Sequence, residues 1–203
     1  FARGWIVLNG RFIDGQPDSP SHSSVSLEVF KGVFAHEIGH LIGLDHSQIN
    51  LNCLTNVSCP ADDIKGLPMM FPILLDEAEA TLKTDDIAAL SALYPASNFA
   101  SSTGRIRGRV YFADGKTPAQ GYNVIARREG DSRITAVSSV SGYLFTAGVG
   151  NDFAPSAYDE EQFYGSQDES LIGVYDIPGL PPGTYTIEVE ALYNGNDYAF
   201  VDS

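Results

Sequence analysis

Twelve residues constrain this chain more than any other stretch: His36-Glu37-Ile38-Gly39-His40-Leu41-Ile42-Gly43-Leu44-Asp45-His46-Ser47. On an α-helix, where each residue adds about 100°, His36 and His40 stand one turn apart on one face. Two imidazoles so placed can ligate one Zn²⁺, and Glu37 beside them can take a proton from a bound water. A third ligand six residues past His40 is out of reach if the helix runs straight on. Gly43 can adopt a positive φ, end the helix and turn the chain so that His46 comes back toward the same ion. Three protein ligands with a fourth position open make a catalytic rather than a structural zinc site. The alternative is ordinary core and surface histidines on an amphipathic helix. It must accommodate three of the chain's four histidines in this one stretch.

The extended pattern resembles the metzincin signature, and Gly43-Leu44-Asp45-His46-Ser47 is most similar to the matrixin branch of that clan. Leu67-Pro68-Met69-Met70-Phe71-Pro72 resembles the matrixin Met-turn, with Met70 at the methionine position. Leu82-Lys83-Thr84-Asp85-Asp86-Ile87, followed by Leu90, Leu93 and Tyr94, resembles the last matrixin helix. Alone, the two methionines would read as core filling. The resemblance implies an α+β metzincin-like zinc endopeptidase domain, with His36, His40 and His46 as ligands and Glu37 as the catalytic base. Only 35 residues precede His36, whereas matrixin-like domains carry most of their sheet before the active-site helix. The chain begins with Phe1 and no signal peptide. The expectation is therefore part of a longer precursor, its N-terminal strands, some lining the substrate cleft, absent. Phe71 and Pro72 follow Met70, so the Met-turn tyrosine that stabilises the oxyanion in other metzincin branches is not expected.

At 203 residues the chain is long enough for two small domains. A net charge of −14 argues against nucleic acid as a partner, since nothing would neutralise phosphates. Solubility is the plain meaning of that acidity. No stretch approaches the roughly 18 consecutive apolar residues of a membrane-spanning helix. Cys53 and Cys59, the chain's two cysteines, stand six apart in a polar loop. Free thiols and a second metal site are the alternatives there. Cys-x₅-Cys lacks the tight spacing of a zinc knuckle, and the reading is a disulfide closing the loop. A disulfide implies an oxidising compartment, hence a secreted, extracellular or cell-surface protein. Asn56-Val57-Ser58 in the same loop is a glycosylation sequon.

Along the chain, Gly4-Trp5-Ile6-Val7-Leu8 reads as a strand closed by the Asn9-Gly10 turn, with residues 11–15 continuing it as a hairpin. Residues 16–24 read as loop with His22 solvated. Residues 25–44 form the active-site helix, its stripe of Phe30, Phe34, Ile38 and Leu41 suited to packing on a sheet. Val29 and Val33 continue the line of the histidines as a dry floor. Residues 48–66 are a long polar excursion that reshapes the cleft or decorates the surface. Residues 76–79 read as acidic loop or a short helical piece. Thr84 is the expected N-cap of the next helix, Asp85 and Asp86 suit its dipole, and Pro95 ends it.

After a small, polar linker the pattern alternates: Ile106, Gly108, Val110 and Phe112 face one way, Arg105, Arg107 and Arg109 the other. The arginines read as a solvated face. Asn123 to Ala126, Ile134 to Val137, Tyr143-Leu144-Phe145 and the run from Tyr185 to Ala191 read as further strands of a β-sandwich. Gly104-Arg105-Ile106-Arg107-Gly108-Arg109-Val110, Ser141-Gly142-Tyr143 and Gly179-Leu180-Pro181-Pro182-Gly183-Thr184-Tyr185-Thr186-Ile187 are similar to carboxypeptidase regulatory-like, or transthyretin-like, domains. The acidic insertion at 151–170 reads as loop, and Ca²⁺, a second cofactor candidate, lacks D-x-D-x-D-G spacing there. The organisation is thus a matrixin-like domain at 1–97, a linker at 98–103 and an all-β Ig/transthyretin-like sandwich at 104–203. The function read from it is zinc-dependent hydrolysis of extracellular polypeptides. The rival is an extracellular binding, structural or adhesion protein that retains the metal site with little turnover. Its sandwich would serve self-association or a surface partner.

Overall fold

The computed structural model describes residues 4–16, 18, 23–55, 59–73, 81–142 and 168–191. His22, the sequon at Asn56, residues 76–79, the strand expected at Tyr143 and most of the 151–170 insertion lie outside them. The long helix begins where Ser26 accepts the Val29 N–H at 3.2 Å, an N-cap bond that satisfies one of the orphan donors of the first turn. It spans α1 (Leu27–Leu41). Two short helices follow, α2 (Asn52–Thr55) and α3 (Ala61–Lys65), then α4 (Thr84–Leu93). The N-cap of α4 is Lys83 rather than Thr84, because Asp86 reaches back to accept the Lys83 N–H at 2.8 Å. A single helical turn, α5 (Phe99–Ser102), occupies the expected linker.

Among the described residues five strands complete the mixed α+β fold: β1 (Gly104–Arg109), β2 (Tyr122–Arg128), β3 (Ala136–Val140), β4 (Val174–Leu180) and β5 (Tyr185–Ala191). All pairings are antiparallel, in a two-stranded sheet β1-β4 and a three-stranded sheet β3-β2-β5. Strand β4 is absent from the sequence-based reading because Pro178 interrupts its pattern. The structure tolerates that proline beside the register shift between Gly104 and Ile106, where the ladder is already broken. Arg105 and Arg107 of β1 both turn to Asp176 of β4.

The strand period of two gives β2 two buried faces. Val124 and Ala126 join Val137, Ile177, Leu180 and, from α4, Ala88 in one core, so the two sheets face each other with α4 packed into their junction. On its other face Ile125 meets Ala136 and Ile49. The described residues of the 48–66 excursion thus cover the outer face of the three-stranded sheet. Asn123 Nδ2 donates to the Gln48 carbonyl at 2.8 Å, and Arg133 pairs with the buried Asp63 at 3.3 Å. Cys53 and Cys59 are bridged, their Cα atoms 4.9 Å apart, and they pack against Leu67 and Phe71 on either side of the methionine turn.

Three local expectations are corrected. Residues 4–9 form no strand; a 3-10 turn, Gly10–Ile13, follows them, and Trp5 and Val7 are 82% and 77% exposed. A strand needs a ladder partner, and none lies beside this segment among the described residues. Among the described residues no sheet covers the stripe on α1: Phe34 is 42% and Ile38 38% exposed, and Val33 is exposed as well. Ala88 and Ile49 occupy the sheet faces that the stripe was to cover. The apolar floor beneath α1 is Leu44, Met69 and Met70 against Ala35, not Val29 and Val33.

Candidate metal centre

The helical spacing brings His36 and His40 to one face of α1, but neighbouring backbone sets how their rings are turned. His36 Nδ1 lies 2.8 Å from the Met69 carbonyl oxygen, and His40 Nδ1 lies 3.0 Å from that of Leu44. A carbonyl only accepts, so both Nδ1 atoms carry the proton and both Nε2 atoms present a lone pair. Those Nε2 atoms are 3.1 Å apart, and His46 Nε2 stands 3.2 Å from that of His40. Two lone pairs facing each other at hydrogen-bond distance repel unless a cation lies between them. His36, His40 and His46 therefore form a cluster that could hold a metal ion. Carbonyl partners on the second ring nitrogen are the usual means of orienting imidazole ligands.

The third histidine arrives by the turn that Gly43 allows. Its φ is 95°, in the left-handed region that favours glycine. The Gly43 N–H donates to the His40 carbonyl at 3.0 Å and the Leu44 N–H to that of Gly39 at 2.9 Å, the paired bonds of a Schellman stop. One turn thus does two things: it redirects the chain toward the ligand cluster and sets the Leu44 carbonyl against His40. The Tyr94 hydroxyl donates to the Ile42 carbonyl at 2.8 Å, so the end of α4 also ties down the end of α1.

The methionine turn is fixed from α4. Asp86 accepts the N–H groups of Met69 and Met70 at 2.9 and 3.0 Å, and the Met70 carbonyl accepts from Ser47 N at 2.7 Å. Met70 lies against α1 so closely that a Cβ at Gly39 would come within 2.2 Å of its sulfur. Burial raises the Asp86 carboxyl above its ordinary value, opposed by its three backbone donors. Asp85 next to it is buried and accepts from the Ser47 hydroxyl and from Ser138 N of β3 at 2.7 Å. Burial pushes its carboxyl from 3.8 up to about 6; the bonds from Ser47 and Ser138 oppose that shift and the charge of Asp86 adds to it.

Glu37, half-buried, follows His36 directly on α1. A crevice of about 260 Å³ lies behind the third ligand, lined by Leu44, His46, Met70, Asp85, Val137 and Pro178 among others. His36 and His40 do not line it, so it adjoins the back of the site rather than the face all three ligands share. The disulfide takes up both sulfurs of the second-metal alternative at Cys53 and Cys59. No described helix is long and apolar enough to cross a membrane.

Asp85 and Asp86 stand in the first turn of α4, where acids suit the helix dipole. Both also have a second task that sequence reasoning did not assign. They point into the protein, where Asp86 accepts from Met69 and Met70 as well as from Lys83 at its own N-cap, and Asp85 accepts from Ser47 and Ser138. The signal that separates the two roles is burial, which a pair of adjacent charges conceals. Compared with known proteins, the chain matches no family model, no curated protein and no solved structure.

Proposed function

We propose that the chain is a zinc-dependent endopeptidase of matrixin-like type that hydrolyses peptide bonds of extracellular proteins. One observation carries the reading: three imidazole Nε2 atoms converge, two with their tautomer dictated by a backbone carbonyl. A tetrahedral ion with nitrogen ligands at about 2.0–2.1 Å has edges of roughly 3.3–3.4 Å. The observed separations of 3.1 and 3.2 Å fit a cluster of that size. Neutral imidazoles suit zinc better than they suit magnesium or calcium.

His36, His40 and His46 would hold the zinc, which would supply Lewis acidity toward a peptide carbonyl and a water. Glu37 sits beside His36 and is not needed as a ligand; it would accept a proton from the attacking water and return it to the leaving amine. The Gly43 stop and the methionine turn beneath Gly39 support the metzincin-like reading of residues 1–97. The two sheets facing across one core support a sandwich in 104–203, and the Cys53–Cys59 bridge supports a secreted or cell-surface setting.

A second reading has one observation in its favour. No strand among the described residues runs beside α1 to hold an extended peptide. An extracellular binding protein with a metal site and little turnover accommodates that.

Elemental analysis and proteolysis separate the two. Purified protein is expected to carry one zinc, and to cleave unfolded polypeptides in a chelator-sensitive way. Glu37→Gln keeps the zinc and loses roughly 10²–10⁴-fold in rate, the usual contribution of a general base. Equal cleavage by Glu37→Gln would end the mechanism. Zinc without cleavage across a broad peptide library would favour the binding protein.

A further inference from the structure

We propose that the strand half of the molecule is part of the metal centre's scaffold, with Asp85 as the positioning residue that joins β3 to the third ligand. The inference rests on the reading that His36, His40 and His46 hold a metal.

The argument starts from the open edge of β3. Among the described residues this strand pairs with β2 on one side alone. The Arg128 N–H donates to the Thr135 carbonyl and the Ser141 N–H to that of Tyr122. Hydrogen-bonded pairs therefore fall at every second position, and Ser138, opposite Ile125, lies between them. Its N–H points out of the sheet. An outward edge N–H ordinarily meets solvent; this one donates to Asp85 Oδ1 at 2.7 Å. The other carboxylate oxygen of Asp85 accepts from the Ser47 hydroxyl. A buried carboxylate without donors is costly. The groups satisfying this one come from β3, 53 residues downstream, and from Ser47, 38 residues upstream.

Ser47 follows His46 in the chain, which makes its fixation consequential. Its N–H is held by the Met70 carbonyl at 2.7 Å and its Oγ by Asp85, while Ile49 N donates back to that Oγ at 3.3 Å. The rings of His36 and His40 are oriented by carbonyls from the methionine turn and the Schellman stop. The backbone leaving His46 is oriented by Ser47, and Ser47 by the bond that ties it through Asp85 to β3. The crevice of about 260 Å³ between His46, α4 and β3 leaves the segment around His46 room to shift if that tie is cut.

The edge geometry supplies a clean test. Ser138→Pro removes the one N–H that Asp85 takes from β3 and no ladder bond, and proline is accepted on edge strands. Affinity for Zn²⁺ is measured by competition with a chromophoric chelator, on the full chain. The visible absorption of the Co²⁺-substituted protein reports ligand geometry. Ser138→Pro and Ser47→Ala are expected to weaken Zn²⁺ binding about 10–100-fold, the usual cost of removing support behind a ligand, and to alter the Co²⁺ spectrum. Ser138→Ala keeps the N–H and stays within a few-fold of wild type. A merely structural role for Asp85 would lower the melting temperature of the metal-free variants and leave affinity and spectrum untouched, and that result overturns the inference. If Ser138→Pro does not fold, Ser47→Ala decides by the same two measurements. Wild-type protein that takes up no Zn²⁺ overturns the metal reading and this inference together. Tight binding by wild type and variants alike overturns this inference alone.

Discussion

Helices α1 and α4 divide the work of the candidate site unequally, in the direction opposite to their packing. Helix α1 supplies two histidines and Glu37, yet of its 15 residues only Gly32 and Gly39 are buried. Helix α4 supplies none of the three histidines, yet it buries Asp85, Asp86 and Ala88, and its carboxylates reach the methionine turn, Ser47 beside His46, and β3. An i, i+4 pair comes to one face of any regular helix, so α1 needs little beyond its own backbone to bring two imidazoles together. Turning those rings and delivering the third requires backbone from elsewhere, and α4 holds that backbone in place. The helix that carries two of the three clustered histidines is thus lightly held, and the helix that carries none holds their surroundings in place.

That contrast is most directly broken at Asp86. Asp86→Ala strips the acceptor from the N–H groups of Lys83, Met69 and Met70 at once. Buried donors left unpaired cost about 1–3 kcal/mol each, and some will find water, so a loss of roughly 3–5 kcal/mol in unfolding free energy is expected by urea titration. His36 loses the fixed Met69 carbonyl as well, so Zn²⁺ affinity falls with stability. A loss below about 1 kcal/mol, within the range of ordinary surface substitutions, would mean that α4 is not the anchor claimed for it.

Asp85 sharpens the comparison through pH. Burial raises its carboxyl from 3.8 to about 6, so between those values the folded protein keeps a proton that the unfolded chain has released. Its contribution is most favourable below pH 3.8 and is lost as the pH rises through about 6. Measured on metal-free protein, the stability of wild type relative to Asp85→Asn is expected to decline by about 2–3 kcal/mol over that window. Taking the difference between the two proteins removes whatever the histidines contribute. A wild-type advantage that grows with pH instead, as for a carboxylate stabilised in its charged form, would contradict the burial argument.

The contrast also explains what could be read in the sequence. The ligand pattern is legible because it depends on spacing along one helix and on a glycine at its end, both local properties. Strands β1, β2 and β5 were legible from alternation and turn residues for the same reason. Strand β4 was not, because Pro178 sits where its ladder is irregular. The Cys53–Cys59 pairing was legible, but what packs against Asp85, the 48–66 excursion and the disulfide was not. Ile49 meets Ile125, Gln48 meets Asn123 and Asp85 meets Ser138 across separations of 53 to 76 residues, and nothing in either partner's neighbourhood announces the other. The stripe on α1 misled in the opposite way: its period is correct for a helix, but a period says which residues share a face and not what lies opposite.

The smallest expected effect tests that last point most sharply. Phe34 is 42% exposed on α1, and it belongs to none of the buried clusters formed by the described residues. Phe34→Gln keeps a straight helix former in place of an aromatic residue, gaining a little propensity while giving up partial apolar contact. The two changes nearly offset, and the unfolding free energy is expected to move by less than about 1 kcal/mol. Large-to-small substitution of a covered phenylalanine costs about 3–5 kcal/mol instead. A loss of that size in the purified full chain would mean that the face is covered in solution by a second copy or by residues outside those described. Helix α1 would then be as firmly held as α4. A change near zero, with Zn²⁺ affinity retained, leaves α1 as it is described above: a backbone ruler that spaces two ligands, held at its C-terminal end by Leu44, Met70 and Tyr94 and needing little along the rest of its length.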